Sequence, residues 1–334
     1  MTALVKANAP QWVWIYFPLW IACIILGLDG RSPEWGTLVL FFVTLTIFGA
    51  IAQFSNTYAD RDEDWLYGPT NPLVTGELEI GLARRAFILQ NIIAGVLLVA
   101  LLLLTLNYAL ILAMMVGWFV GLSYSVPPFR FKETLFHPII FALGLALFPI
   151  VAWLIVAPLN DFIIAFAIFF FVWSFGFGIT QKFRKTHLAL DAGLIQMKQG
   201  GSIYDLNTVG FKLKVRNAMI IEAVMFLGSF ALVPIFWHLQ FFDSVFSIAL
   251  LAIVLPLTIM GLILRIKDPI ENSPRCNKRL GLAWIFIILI LFAVSVSSLI
   301  HWSLAILACL VFLIGFPLLV RVIHPWGCKG LGGQ

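Results

Sequence analysis

Acidic residues are concentrated in one short segment that follows an apolar stretch. Four of the sixteen carboxylates lie between positions 60 and 64, and Asn56, Asp60 and Asp64 are spaced four residues apart. In a helix, this spacing places the three side chains on one face, about one turn apart. Such oxygen ligands suit Mg2+, which fills its shell with water and phosphate oxygens. The segment therefore predicts binding of a metal-bridged phosphate ester, and the alternative is a solvated acidic turn balanced by Arg61.

The elements that carry this segment are too apolar for a soluble enzyme. Of 334 residues, 62% are hydrophobic and 11% are charged, whereas soluble domains carry roughly a quarter charged residues. The apolar residues form runs of about 20, the length of a helix that crosses the hydrocarbon core. Runs such as 96–104 do not alternate as the strands of a membrane barrel would. The composition predicts an all-α, polytopic membrane protein.

Ten apolar segments are candidates for membrane spans. They lie at 12–29, 36–55, 86–106, 108–125, 136–157, 161–180, 217–237, 243–264, 280–300 and 302–322. If all ten cross, every lysine and arginine except Arg31 falls on one side. Because positively charged loops stay in the cytoplasm, we expect both termini and the long loops 56–85 and 181–216 to be cytoplasmic, at the plasma (inner) membrane. The net charge of +5 follows from this topology beside anionic lipids and indicates no nucleic-acid partner.

Three sequence segments together resemble the motifs of a known family. Residues 56–64 read N-T-Y-A-D-R-D-E-D, residues 71–76 read N-P-L-V-T-G, and residues 124–132 read Y-S-V-P-P-F-R-F-K. These are similar to the N-D-x-x-D-x-x-x-D, R-P-L-x-x-G and Y-[ST]-x-P-P-x-R-x-K motifs of the UbiA superfamily of intramembrane prenyltransferases. Thr57 and Asn71 depart from the family's usual aspartate and arginine.

The resemblance implies a fold, a reaction and a set of site residues. The fold would be a single domain over residues 1–334, in which nine or ten helices form a barrel around a central cavity. A prenyl diphosphate would bind through Mg2+ and ionise, and a lipophilic or aromatic acceptor would capture the allylic cation. The residues expected to act are Asp60 and Asp64 as metal ligands, Asn56 in support, Arg130 and Lys132 on the diphosphate, and Tyr124 on the substrate or the developing positive charge.

The second aspartate-rich motif of that family has no acidic counterpart here. When the glycines of the two long loops are aligned, Asp60 falls on Lys185 and Asp64 falls on Ala189. The polar residues of this stretch are Lys182, Arg184, Lys185, His187 and Asp191. The last two are spaced four apart and are candidates for a degenerate motif, although imidazole is a poor ligand for Mg2+.

Several interpretations of the basic stretch remain open. Lys182, Arg184 and Lys185 could bind the diphosphate directly in place of a second metal, or they could only anchor the loop to anionic lipid. Alternatively the protein is a terpene cyclase, which needs no acceptor, or a lipid-binding or inactive relative. A transporter is disfavoured because the charges cluster at one end of the spans. Glu222, inside the predicted seventh span, is either functional or reaches water, since an unpaired charge there is costly.

Overall fold

The computed structural model describes residues 2–8, 15–61, 71–191 and 214–297, together with five single positions beyond them. In these ranges the chain forms ten helices: α1 Thr2–Asn8, α2 Phe17–Leu28, α3 Trp35–Ala59, α4 Ile80–Thr105, α5 Tyr108–Ser125, α6 His137–Leu154, α7 Asp161–Asp191, α8 Val215–His238, α9 Ser244–Lys267 and α10 Ser273–Ser297. A single 3-10 turn, Phe131–Glu133, lies between α5 and α6. The predicted all-α fold is confirmed.

The described helices match the predicted spans closely. Helices α3 to α10 are long and apolar enough to cross a membrane, and α2 is a shorter apolar helix. Within the described residues these nine helices correspond to the first nine predicted segments. The tenth, 302–322, lies almost entirely outside them. The chain is an integral membrane protein.

Both long loops are shorter than the sequence predicted. Helix α3 continues to Ala59 and α4 begins at Ile80, so both ends of the predicted 56–85 loop are helical. Helix α7 continues to Asp191, so the start of the predicted 181–216 loop is helical as well. The extension of α7 forms because residues 181–191 contain no glycine or proline, and because Phe183 and Thr186 continue the buried stripe of the span. Neither the extension nor helix α1 was predicted.

The chain divides into two compact units, the first formed by residues 1–128, 151–158 and 295–334. In this unit α3 packs against α1, α4 and α5. A Cβ atom on Gly121 would lie only 3.2 Å from the Cβ atom of Ala52. The glycine therefore allows α5 to approach α3 closely.

The second unit comprises residues 129–150 and 159–294. Its principal contact is between α7 and α8, where Trp173 meets Phe226 edge-on with ring centroids 5.1 Å apart. A Cβ atom on Gly176 would lie 3.1 Å from the ring of Phe226, so this glycine makes room for the aromatic side chain. Large aromatic side chains of α7 fill the core of this unit, which fixes the helix that carries the basic residues.

Candidate functional site

The acidic part of the candidate site begins where α3 ends. Asp60 follows the last helical residue, and its backbone N–H donates to the carbonyl oxygen of Asn56 at 2.8 Å. Its side chain is only 6% exposed. The predicted spacing of Asn56 and Asp60 by one helical turn is therefore present. Asp64, the other predicted metal ligand, lies outside the described residues.

Residues 71–78 fold back onto the end of α3. The Asn71 side chain donates from Nδ2 to the Thr57 carbonyl oxygen at 2.7 Å and accepts from the Leu73 N–H at 3.0 Å. The Thr57 hydroxyl donates to the carbonyl oxygen of Ala7 in α1 at 3.0 Å. Both positions at which the sequence departs from the family motif thus stabilise the end of α3. The sequence analysis did not foresee these roles, although an Asn-Pro pair favours such a local turn.

Helix α5 contributes the second side of this acidic part. Ser125 is one turn beyond Gly121, and its hydroxyl donates to Oδ1 of Asn56 at 3.0 Å. This bond fixes the orientation of the amide, leaving Nδ2 as the donating end. Tyr124, the predicted substrate residue, precedes Ser125 in the last turn of α5 and is half-buried. Ser125 was not predicted as a site residue, since its partner lies far away in the sequence.

The turn after α5 carries Arg130 and Lys132. Arg130 has a φ of +40°, a left-handed conformation that is uncommon for a residue other than glycine, and its guanidinium pairs with Glu133 at 2.6 Å. The hydroxyl of Thr134 donates to the carbonyl oxygen of Phe131 at 2.9 Å, which holds the 3-10 turn closed. Lys132 is only 2% exposed, so the turn buries one of its two predicted cations and leaves the other partly accessible.

Three lysines converge in the second unit, and we call Lys132, Lys182 and Lys185 the lysine cluster. Lys182 is 1% exposed, and its ammonium donates to the backbone carbonyl oxygen of Lys132. Burial, together with the charges of Lys185 and Lys182, lowers the pKa of Lys132 to about 7, and Glu133 acts in the opposite direction. Cations that are buried together in this way are stabilised by an anion bound among them. The structure thus brings together Lys132 and Lys182, which are both among the predicted site residues.

The remaining predicted residues of α7 lie along the same helix. Arg184 and His187 are half-buried, and Asp191 is the last residue of α7, with its side chain outside the described residues. His137, at the start of α6, donates from Nε2 to the carbonyl oxygen of Gly178 at 3.0 Å and lies within electrostatic reach of the lysine cluster. Sequence spacing had assigned no role to His137.

Glu222 is completely buried in α8 and does not reach water. Its carboxylate accepts from Arg265 Nε at 3.0 Å and from the Thr180 hydroxyl at 2.5 Å. Arg265 directly follows the predicted eighth span 243–264, yet its side chain is 1% exposed and forms this ion pair. Of the two alternatives for Glu222, access to water at the helix end is therefore wrong, because α7 and α9 cover its carboxylate.

The donor set of the first unit fits Mg2+ in chemistry. The buried carboxylate of Asp60 is a hard oxygen ligand of the kind that Mg2+ prefers. The oriented amide of Asn56 can form a hydrogen bond with water bound to the ion. Among the described residues, no three His, Cys, Asp or Glu side chains come together as a complete metal site.

Solved structures with the same fold are similar to almost the whole chain. Digeranylgeranylglyceryl phosphate synthase matches with a TM-score of 0.61 and 17% identity, covering 89% of this chain and 100% of its own. A UbiA homologue from Archaeoglobus fulgidus bound to DMAPP and Mg2+ matches with a TM-score of 0.62 and 19% identity, covering 88% and 99%. The corresponding structure bound to GPP and Mg2+ matches with a TM-score of 0.60 at the same identity and coverage. At such identities the likeness concerns the fold alone.

Sequence comparisons give the family directly. No curated protein matches the sequence significantly. The family described as the UbiA prenyltransferase family matches residues 15–276, which include α2 to α9, the acidic part of the site and the lysine cluster. The protein therefore belongs to the UbiA prenyltransferase family.

Proposed function

We propose that the protein transfers a prenyl group from a prenyl diphosphate to a lipophilic or aromatic acceptor within the membrane. Family membership supports prenyl transfer in general, and the A. fulgidus homologues bind GPP or DMAPP with Mg2+. The observation that carries the proposal is the lysine cluster, in which Lys132 and Lys182 are almost fully buried and the Lys182 ammonium donates to the backbone carbonyl oxygen of Lys132. Bound beside these ammonium groups, a diphosphate would stabilise their charged forms.

The chemistry required of these residues is the stabilisation of a leaving group. The bond between the allylic carbon and the diphosphate oxygen breaks, and the electron pair leaves with the diphosphate. The acceptor's nucleophilic atom then bonds to the allylic carbon and loses its proton. Five cations neutralise the charge that develops on the departing oxygens: Lys132, Lys182, Lys185, Arg130 and Arg184. Electrostatic stabilisation of developing charge is usually the largest single contribution to catalysis.

Asp60 and Asp64 are the proposed ligands of Mg2+, and Asn56 orients its bound water or the substrate. Bound there, the ion would polarise the diphosphate oxygens and so lower the barrier to their departure. Asp60 and Asn56 are held in place by the end of α3 and by Ser125. Tyr124 presents a ring that can stabilise positive charge through its π face. His187 and Asp191 are proposed to contact the substrate as minor members of the basic stretch.

The basic stretch of α7 is proposed to replace the second acidic motif. In that arrangement lysine ammonium groups contact the diphosphate directly. Carboxylates at these positions would need a second metal ion to bind the same anion. From the positive-inside pattern we expect the basic end of α7 and both termini in the cytoplasm, so a water-soluble diphosphate head would enter from that side. The prenyl tail would lie in the apolar interior of the protein or membrane.

Product analysis with purified protein tests this proposal. The protein in lipid nanodiscs is incubated with Mg2+ and a panel of prenyl diphosphates, with or without quinone-precursor, aromatic and lipid acceptors, and products are identified by mass spectrometry. A prenylated acceptor is the expected result. A cyclic hydrocarbon formed without acceptor would instead identify a cyclase, and the absence of any product with every diphosphate would contradict enzymatic function.

A further inference from the structure

We infer that the buried Glu222–Arg265 ion pair is a positioning device that fixes Lys182 for diphosphate binding, an inference that rests on the proposed function. The pair lies in α8 and α9, and neither residue belongs to the lysine cluster. It contacts α7 on both sides of Lys182 in sequence, at Thr180 and at Phe183. We call Thr180, Glu222 and Arg265 the Glu222 network.

The Glu222 network contacts one face of α7, and Lys182 extends from another. The Thr180 hydroxyl donates to Oε1 of Glu222 at 2.5 Å, and the Arg265 guanidinium lies 4.0 Å above the ring of Phe183. At 3.6 residues per turn, Lys182 points about 200° around the helix axis from Thr180. Holding residues 180 and 183 therefore sets the rotation of α7, and this rotation decides where the Lys182 ammonium lies.

Several hydrogen bonds and complete burial restrain the side chains of the Glu222 network. Arg265 uses Nε and Nη2 on Glu222 and donates from Nη1 to the carbonyl oxygen of Pro269 at 2.6 Å. Both charges are almost completely buried, so a change in their geometry would leave a charge unpaired in an apolar environment. Next to Thr180, Gln181 Nε2 donates to Asn277 Oδ1 of α10 at 2.9 Å, which restrains the same turn from another direction.

The position of Lys182 matters because the lysine must serve two partners. Its ammonium already donates to the Lys132 carbonyl oxygen, and it is also a proposed ligand of the diphosphate. A small rotation of α7 would break the contact with Lys132 and separate the two buried lysines. Glu222 and Arg265 therefore affect anion affinity by fixing the position of Lys182, although neither residue touches the substrate.

Binding of inorganic diphosphate tests the inference in the full-length protein. Thr180→Val removes one hydroxyl and keeps the ion pair, and Glu222→Gln removes the charge with little change in shape. Coupling between a remote group and a binding site typically changes an affinity by about five- to 150-fold. We expect affinity to fall about tenfold in each variant by isothermal titration. In a Lys182→Met background the same two substitutions are expected to change affinity by less than about twofold.

Phe226→Ala is the matched control. Phe226 lies one turn beyond Glu222 and packs on α7 against Gly176 and Trp173. Its loss is expected to lower thermal stability but to leave diphosphate affinity within about twofold, because a phenyl ring donates no hydrogen bond to Glu222 and its removal leaves the ion pair with Arg265 in place. A tenfold loss in Phe226→Ala would mean that any loosening of α7 weakens binding, and it would overturn the specific role of Glu222.

A second measurement follows Lys182 without a ligand. Modification by an amine-reactive reagent, read by peptide mass spectrometry, is expected to be several-fold faster at Lys182 in Thr180→Val, with the exposed Lys278 unchanged. Unchanged Lys182 reactivity, or a Glu222→Gln effect that persists in Lys182→Met, would overturn the inference while leaving diphosphate binding intact. Absence of diphosphate binding by the unaltered protein would overturn the proposed function, and the inference with it.

Discussion

The pH dependence of diphosphate binding should report directly on Lys132. Burial, Lys185 and Lys182 lower the pKa of Lys132 to about 7, and Glu133 acts in the opposite direction. A bound anion favours the charged ammonium and raises this pKa again. Binding above neutral pH must therefore be accompanied by proton uptake, and affinity should fall as the pH rises through 7 and the free protein loses the proton.

The size of the effect follows from that pKa. A lysine with a pKa of about 7 is protonated in roughly a tenth of the molecules at pH 8 and in roughly a hundredth at pH 9. If the ammonium is required, affinity at pH 8 is about tenfold weaker than the limit reached below pH 6. The diphosphate also changes its protonation state in this pH range. The effect of Lys132 is therefore isolated by comparison with a variant that binds the same ligand but has no side chain at position 132 that titrates there.

Lys132→Arg is that variant, because a guanidinium stays protonated over the whole range. Isothermal titration with inorganic diphosphate, without Mg2+, is carried out from pH 6 to pH 9 in buffers of different ionisation enthalpy. For the unaltered protein at pH 8 we expect uptake of close to one proton more than in the variant, and a tenfold loss of affinity relative to it. Identical pH profiles for the two proteins would refute the assignment of a neutral Lys132 near pH 8.

Three further predictions concern stability and local order. Glu222→Gln leaves a buried guanidinium without its counter-charge and should lower the free energy of unfolding by about 3–5 kcal/mol, measured by thermal unfolding in detergent; an unchanged midpoint would contradict the burial of the pair. Gly178→Ala introduces a Cβ atom 3.0 Å from the backbone of α6 and should lower the free energy of unfolding by about 1–3 kcal/mol. Gly228→Ala, at a position with open space around it, should leave the free energy of unfolding almost unchanged. Equal effects of the two substitutions would refute the close packing at Gly178. Asn71→Ala removes the bond to the Thr57 carbonyl oxygen and should accelerate hydrogen exchange of residues 73–78 in mass spectrometry, and unchanged protection would contradict the role of Asn71.

The sequence predicts the helices well because a membrane imposes a simple rule on it. Apolar runs of sufficient length must be helical, since no water is available for the backbone groups. That rule does not apply where helices extend into water. Helix α7 therefore continues beyond its predicted end at 180, and the end of α3 is defined by the Asn71 and Thr57 hydrogen bonds, which join residues distant in the sequence.

The candidate site is only partly readable from the sequence. The one-turn spacing of Asn56 and Asp60 is a local property of a helix and could be predicted. The contact of Asn56 with Ser125 and the burial of Arg265 depend on which helices pack together, and a charge count along the chain contains no such information. The convergence of Lys132 and Lys182 was expected only through family resemblance, and the structure supplies the contact between them.

The most direct test of the central claim is Mg2+-dependent release of diphosphate from a prenyl diphosphate. The purified protein is compared with Asp60→Asn, Asp64→Asn and Lys182→Met, and with Lys278→Met, an exposed lysine of α10, as the control for loss of a positive charge. The account predicts release by the unaltered protein and by Lys278→Met, and at least a hundredfold loss, about 2.7 kcal/mol, in each of the other three. Release that persists in Asp60→Asn and Lys182→Met, or no release from any prenyl diphosphate, would contradict it.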